Sequence, residues 1–218
     1  MKMHNEAGST LPITGTPESA ARRELLQRIG LLLGAAALPA DAVFGAAAKG
    51  GRFLGAADFR LLTAVADTLV PQTDTPGAVQ AGIPRLIDSL LRDWASAATR
   101  TQLTGALVRI DATATLAGTR GFARLSPADR KRLLLAYDVA ALQPAPAAGP
   151  APGVDALFAG PPVKDAAYAR LKELVVTLYY SSKIGLTQEL TYVHAPGKWQ
   201  PSVPVTKDTR PAGGGGMF

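Results

Sequence analysis

The sequence contains no cysteine. That excludes disulfides, iron–sulfur ligation, a cysteine nucleophile and covalent haem attachment through C-x-x-C-H. Histidine is nearly absent too. His4 lies near the start and His194 near the end, so a metal centre would need several carboxylates gathered from afar. A surface or interface role for His194 is the simpler reading. Aromatic residues make up only 6% of the chain, and no basic run interleaves with them, which argues against nucleic-acid binding. No apolar run approaches the roughly 20 residues that span a bilayer. No G-x-G-x-x-G follows a strand, and no Walker A, H-E-x-x-H or G-x-S-x-G sequence occurs. Strand signals are sparse, with residues 190–193 the one short candidate.

What is present begins with two arginines. Arg22-Arg23-Glu24-Leu25-Leu26-Gln27-Arg28 precedes Ile29-Gly30-Leu31-Leu32-Leu33-Gly34-Ala35-Ala36-Ala37-Leu38. Twin arginines, a short and moderately apolar run, and the small residues Ala46-Ala47-Ala48 in that order are the layout of a twin-arginine export signal cleaved before Lys49. Arg22, Arg23, Leu25, Leu26, Ala46 and Ala48 are its diagnostic positions. Ala21 and Gln27 depart from the common pattern, and an ordinary amphipathic helix is the plainer alternative. Residues 1–48 form this leader, which leaves residues 49–218 as one domain. The chain carries a net charge of +6. Acids and bases cancel in the leader, so the excess belongs to the remainder, where it is spread along the sequence.

The periodicity of that remainder is helical nearly throughout. Phe59, Leu62, Val65, Ala66 and Leu69 make one stripe, with Asp58 as a candidate cap and Pro71 as a stop. Ile83, Leu86, Ile87, Leu90, Leu91 and Trp94 make a second, with Pro84 in its first turn. Leu103, Leu107 and Ile110 make a third, ended by Gly118 and Gly121. Ser126-Pro127-Ala128-Asp129 opens a fourth, in which Leu133, Leu134, Tyr137 and Ala140 face inward. Tyr168, Leu171, Leu174, Val175 and Leu178 define a fifth. Residues 143–162 are a Pro/Ala/Gly loop, and residues 186–218 an extended tail that is too apolar in places to stand free of a surface. The predicted fold is all-α: a small bundle of about five helices with a long irregular loop and a C-terminal tail.

Candidate chemistry is thin. Asp67 and Asp74 could be read as an acid/base pair. Thr73 and Asp74 are better read as side chains that bond their own backbone in the turn before Pro76-Gly77. Trp199, within Pro196-Gly197-Lys198-Trp199-Gln200-Pro201, reads equally as a self-packing anchor or as an interface hot spot. A small hydrolase and a free-standing periplasmic helical binding protein remain as alternatives on the residues alone.

Two stretches carry a resemblance. Asp67-Thr68-Leu69-Val70-Pro71-Gln72-Thr73-Asp74-Thr75-Pro76-Gly77-Ala78 resembles the signature of the gluconate 2-dehydrogenase subunit 3 family. Tyr179-Tyr180-Ser181-Ser182-Lys183-Ile184-Gly185, Glu189-Leu190-Thr191-Tyr192 and Pro196-Gly197-Lys198-Trp199 resemble that family's C-terminal pattern. The resemblance implies a non-catalytic small subunit with no cofactor, catalytic residue or metal of its own. Its implied partners are an FAD-containing catalytic dehydrogenase subunit of the glucose–methanol–choline type and, in some complexes, a cytochrome c subunit bearing haem c. It further implies that the export signal serves the catalytic partner, which brings the complex to the periplasm and the inner membrane. On this reading the partner-binding residues are Thr73, Asp74, Pro76, Gly77, Tyr180, Ser182, Gly185, Glu189, Tyr192 and Trp199.

Overall fold

The computed structural model describes residues 28–30, 32, 51–146, 161–192, 202, 204–207 and 209–213. Among them five α-helices build the fold: α1 (Ala56–Leu69), α2 (Ile83–Asp93), α3 (Ala97–Leu116), α4 (Pro127–Ala141) and α5 (Ala166–Ser181). A single 3-10 turn, Phe122–Arg124, joins α3 to α4. After α5 come a π-helical turn, Gly185–Glu189, and a two-residue strand β1 (Thr191–Tyr192), which pairs in parallel with β2 (Ala212–Gly213). The expected all-α bundle is therefore what forms. The strand signal at 190–193 becomes β1, and the tail supplies its partner.

Helix α1 touches all four other helices. Burial on it is accordingly broader than one stripe: Leu61 and Ala64 are buried along with Leu62, Val65 and Ala66. Asp58 does not cap it. Gly55 occupies the N-cap, with Asp58 inside the first turn, where its charge still complements the helix dipole. Helix α2 buries Ile83, Leu86, Ile87, Leu90 and Leu91 as its spacing predicts, and Trp94 stands half-buried just past its end. The buried carboxylate of Asp88 accepts from the backbone N–H of Leu54 at 2.7 Å and of Phe53 at 3.2 Å, tying the preceding segment to α2. Arg100 donates to the carbonyls of Leu91 and Arg92 at 2.7 and 2.8 Å, satisfying acceptors that the end of α2 leaves open.

Ser96 and Ser126 cap α3 and α4 by accepting from Thr99 N–H and Asp129 N–H. Helix α3 ends before Gly118 and Gly121, both at positive φ (79° and 96°). On α4 the inward positions are Leu134 and Ala141, with Leu133 and Tyr137 half-buried. Ala140 is exposed, because contact near the end of α4 falls one residue further on. The ends of the Pro/Ala/Gly loop are zipped: Ala145 N–H donates to Pro162 O at 2.9 Å, and Lys164 N–H to Gln143 O at 3.0 Å. Residues 147–160 of that loop lie outside the described residues.

Asp165 caps α5 and clamps the adjoining helices. It accepts from Tyr168 N–H (3.0 Å), from Arg109 of α3 (2.9 and 2.7 Å) and from the Tyr137 hydroxyl of α4 (2.6 Å). Burial alone would raise its pKa. The Arg109 guanidinium, with the Tyr137 and Tyr168 donors, outweighs that and lowers it to about 2. Beside it Tyr137 and Tyr168 meet edge to face, 5.1 Å apart. Asp138 accepts from the Tyr168 hydroxyl (2.7 Å) and from Lys172 (2.6 Å).

A short piece of the segment expected to be a leader also packs into this core. Residues 28–30 are helical, Ile29 is fully buried, and Leu32 packs against the core. Arg28 reaches Glu173 of α5 at 3.1 Å. The signal positions Arg22, Arg23, Leu25, Leu26, Ala46 and Ala48 lie outside the described residues.

Candidate functional site

Helix α1 runs into Pro71, which has no N–H to continue it. The carbonyl of Val70 instead accepts from Ala78 N–H at 2.9 Å and closes the loop 70–78 on itself. Inside the loop Thr73 N–H donates to Thr75 O at 3.0 Å, and the Thr73 hydroxyl donates to Asp74 Oδ1 at 3.0 Å. Thr73 meets its own loop's backbone through a long contact from Thr75 N–H (3.4 Å), whereas Asp74 bonds the Thr73 hydroxyl and not the backbone it was expected to hold. Gly77 is buried where the loop crosses itself. A Cβ there would lie 2.5 Å from Val70 O and 2.6 Å from Gln72 N, so the crossing admits only glycine. Gly77 N–H donates to Gln80 Oε1 (3.1 Å), and the Gln80 amide donates to Gln72 Oε1 (2.8 Å).

The second stretch folds back over the end of α5 in a similar way. The Ser182 hydroxyl donates to Tyr179 O at 2.6 Å and accepts from Gly185 N–H at 3.1 Å. Gly185 is buried against α5, and a Cβ on it would sit 2.2 Å from Tyr179 O. One π-helical turn follows, closed by Leu190 N–H to Gly185 O at 3.0 Å, and it presents Glu189 to the first loop.

The two stretches meet there. The buried Thr75 hydroxyl donates a short hydrogen bond to Glu189 Oε2 across 114 positions of chain. The Tyr179 hydroxyl donates to Pro76 O at 2.7 Å, across 103 positions. Burial raises the Tyr179 pKa, the nearby Glu189 carboxylate adds to the rise, and the Thr75 hydroxyl offsets part of it. Tyr179 therefore stays a neutral donor. Tyr180 packs edge to face on Tyr179 (5.2 Å) with 38% of its surface exposed. The tail returns to the same corner: Thr191 N–H donates to Pro211 O at 2.8 Å, and Arg210 lies 3.7 Å from Asp74.

The residues expected to bind a partner separate by exposure. Gly77 and Gly185 are buried, Pro76, Ser182 and Glu189 are half-buried, and Thr73, Asp74 and Tyr180 are exposed. The first two groups shape the corner and the third forms its surface. Tyr192 is placed by its backbone in β1, and Trp199 and His194 lie outside the described residues. Thr75 and Tyr179 make the cross-links, although the sequence does not point to either as a partner-binding residue. Thr75 stood inside the quoted turn motif, but its partner is remote in sequence.

Asp67 does not join this corner. It pairs with Arg130 of α4 at 3.4 Å, because α1 turns it toward α4 and away from the loop. Chemically the corner is a polar lock: its hydroxyls and carboxylates bond one another and the backbone. Among the described residues no three His, Cys, Asp or Glu side chains gather as a metal site, and no helix is long and apolar enough to cross a membrane.

A family model described as gluconate 2-dehydrogenase subunit 3 matches residues 56–197. The match starts at the first residue of α1 and contains both halves of the corner. No curated protein and no solved structure matches the chain.

Proposed function

Because the chain belongs to the gluconate 2-dehydrogenase subunit 3 family, we propose that it works as the small, non-catalytic subunit of an FAD-dependent sugar or sugar-acid dehydrogenase complex. It binds a catalytic flavoprotein subunit of the glucose–methanol–choline type, supports that subunit's maturation and carries it through the twin-arginine route. The complex is then periplasmic and associated with the inner membrane, with FAD in the partner and haem c in a third subunit where one is present. Substrate choice resides in the partner.

The observation that carries this reading is the corner itself. Both family-like stretches converge on one surface, through Thr75–Glu189 and Tyr179–Pro76, and their polar groups are engaged in holding shape. Thr73, Asp74 and Tyr180 are left outward as contact residues. A rigid, pre-formed surface of this kind suits recognition, since little ordering entropy remains to be lost on binding.

Co-expression tests the proposal. The flavoprotein expressed with this chain gives soluble, active, periplasmic enzyme; expressed without it, yield and activity collapse. Arg22→Lys with Arg23→Lys holds both chains in the cytoplasm. Equal periplasmic activity in the absence of this chain would sink the idea.

A further inference from the structure

A second surface is set apart from the corner. A broad groove of about 1190 Å³ runs along the solvent side of α1, between the segment before it and the Gly121–Arg124 bend. Five arginines line it, Arg52, Arg60, Arg120, Arg124 and Arg130, against three aspartates. Two of the aspartates are already engaged, and the third offsets part of the arginine charge. Asp111 accepts from Phe122 N–H at 2.8 Å, Asp67 faces Arg130 at 3.4 Å, and Asp58 sits exposed in the first turn of α1.

The arginines are under-neutralised. Arg60, Arg120 and Arg124 are exposed, and their guanidinium groups have no hydrogen bond or ion pair among the described residues. Arg130 is largely buried, its one carboxylate contact is long, and its Nε has no acceptor among the described residues. Arg52 lies over the Phe59 ring at 4.4 Å, an arrangement that holds its guanidinium in place without cancelling its charge. The first turn of α1 has no side-chain cap, and its N–H groups add to the same positive field, offset in part by Asp58 in that turn.

We infer that this groove receives an acidic segment of the catalytic partner chain, an inference that rests on the subunit role proposed above. Guanidinium groups in a concave, partly screened site recognise carboxylates with paired hydrogen bonds. The groove follows α1 from Ala56 to Asp67, about 16 Å at roughly 1.5 Å per residue. That length matches about five residues of extended chain. A membrane headgroup layer presents a flat anionic plane, which meets exposed arginines but does not enter a groove. A polypeptide does enter it, and it reaches the floor beside Phe59 and Arg130.

The test uses the full chain and an oligo-glutamate peptide, with anionic phospholipid vesicles and inorganic phosphate as competing probes. The peptide binds, and binding weakens about tenfold from low to physiological salt. The triple variant Arg60→Glu, Arg120→Glu, Arg124→Glu loses about tenfold or more in affinity, while the corresponding lysine variant, which keeps the charge and loses the paired hydrogen bonds, falls between it and the wild type. All three positions are exposed, so unfolding curves of the variants overlay the wild type. Equal peptide binding by the charge-reversed chain overturns the inference, as does binding to vesicles or phosphate in preference to the peptide. Co-purification with the flavoprotein then separates the two proposals. Loss of complex in the charge-reversed chain alone supports the groove, and an undiminished complex overturns it. No complex with the wild-type chain, alongside intact peptide binding, overturns the subunit role and with it the partner named here.

Discussion

At its N-terminal end α5 is anchored by charge: Asp165 gathers Arg109 of α3, Tyr137 of α4 and the N–H of Tyr168. At its C-terminal end it is anchored by close backbone approach, with Gly185 against Tyr179 O and Gly77 at the loop crossing, stitched by Thr75–Glu189 and Tyr179–Pro76. The first end resembles a clamp whose strength is set by protonation. The second resembles a joint whose strength is set by the absence of side-chain atoms. A charged clamp weakens by degrees as one partner is altered, whereas a joint packed backbone to backbone cannot yield to a methyl group without moving the chain. The family-like stretches lie at the joint. A surface used for recognition gains from that rigidity.

The largest effect is expected at the joint. Gly185→Ala places a Cβ 2.2 Å from Tyr179 O, and Gly77→Ala places one 2.5 Å from Val70 O. Each should cost about 3 kcal/mol or more, lowering the melting temperature by roughly 10 °C. Thermal unfolding followed by circular dichroism checks this. A change within about 2 °C would mean that the loop crossing yields, and the comparison would fail.

The clamp should give a smaller effect that depends on pH. Asp165 is held at about 2, below the ordinary carboxylate value of 3.8. A depressed folded-state pKa stabilises the fold above the unfolded value. That contribution, about 2 kcal/mol, is present above about pH 4 and is lost as pH falls toward 2. Urea unfolding of the wild type and Asp165→Asn should therefore differ at pH 7 and converge near pH 2. A difference that stays constant over that range would show that charge is not what holds this end.

The smallest effect on stability, and the most specific on binding, is expected at the exposed face of the joint. Tyr180→Ser and Asp74→Ala should each shift stability by only about 0.5 kcal/mol yet reduce retention of the flavoprotein in pull-down. Full retention in the double variant would move the contact surface elsewhere and leave the joint as pure architecture.

Much of the bundle was legible because helices announce themselves locally. The apolar spacing from Ile83 to Leu91, the Ser126-Pro127 start and the stripe from Tyr168 to Leu178 each depend on residues within a few turns of one another. Where local reading slipped, the neighbours decided. Asp58 falls inside the first turn because α1 starts earlier, at Ala56, with Gly55 as its N-cap. Ala141 replaces Ala140 at the inward face of α4. Leu61 and Ala64 are buried because α1 is surrounded by the other helices. The candidate site was legible as two separate stretches and not as one place. Thr75 and Glu189 stand 114 positions apart, and no periodicity links them.

By itself, the sequence determined the helices, the Ser126 cap and the Pro71 break, the turn at Thr73, Asp74 and Pro76, and the family to which the chain belongs. These are short-range properties, set by backbone sterics, side-chain capping and the spacing of apolar groups. Only the tertiary structure decided that the two family-like stretches form one corner, that Gly77 and Gly185 are the points where backbones touch, and that Ile29, within the segment expected to be a leader, lies in the core. It also decided that arginines spread from residue 52 to residue 130 line a single groove. Each of those depends on which surfaces the packed helices bring together, and contacts between residues a hundred positions apart leave no mark on local pattern.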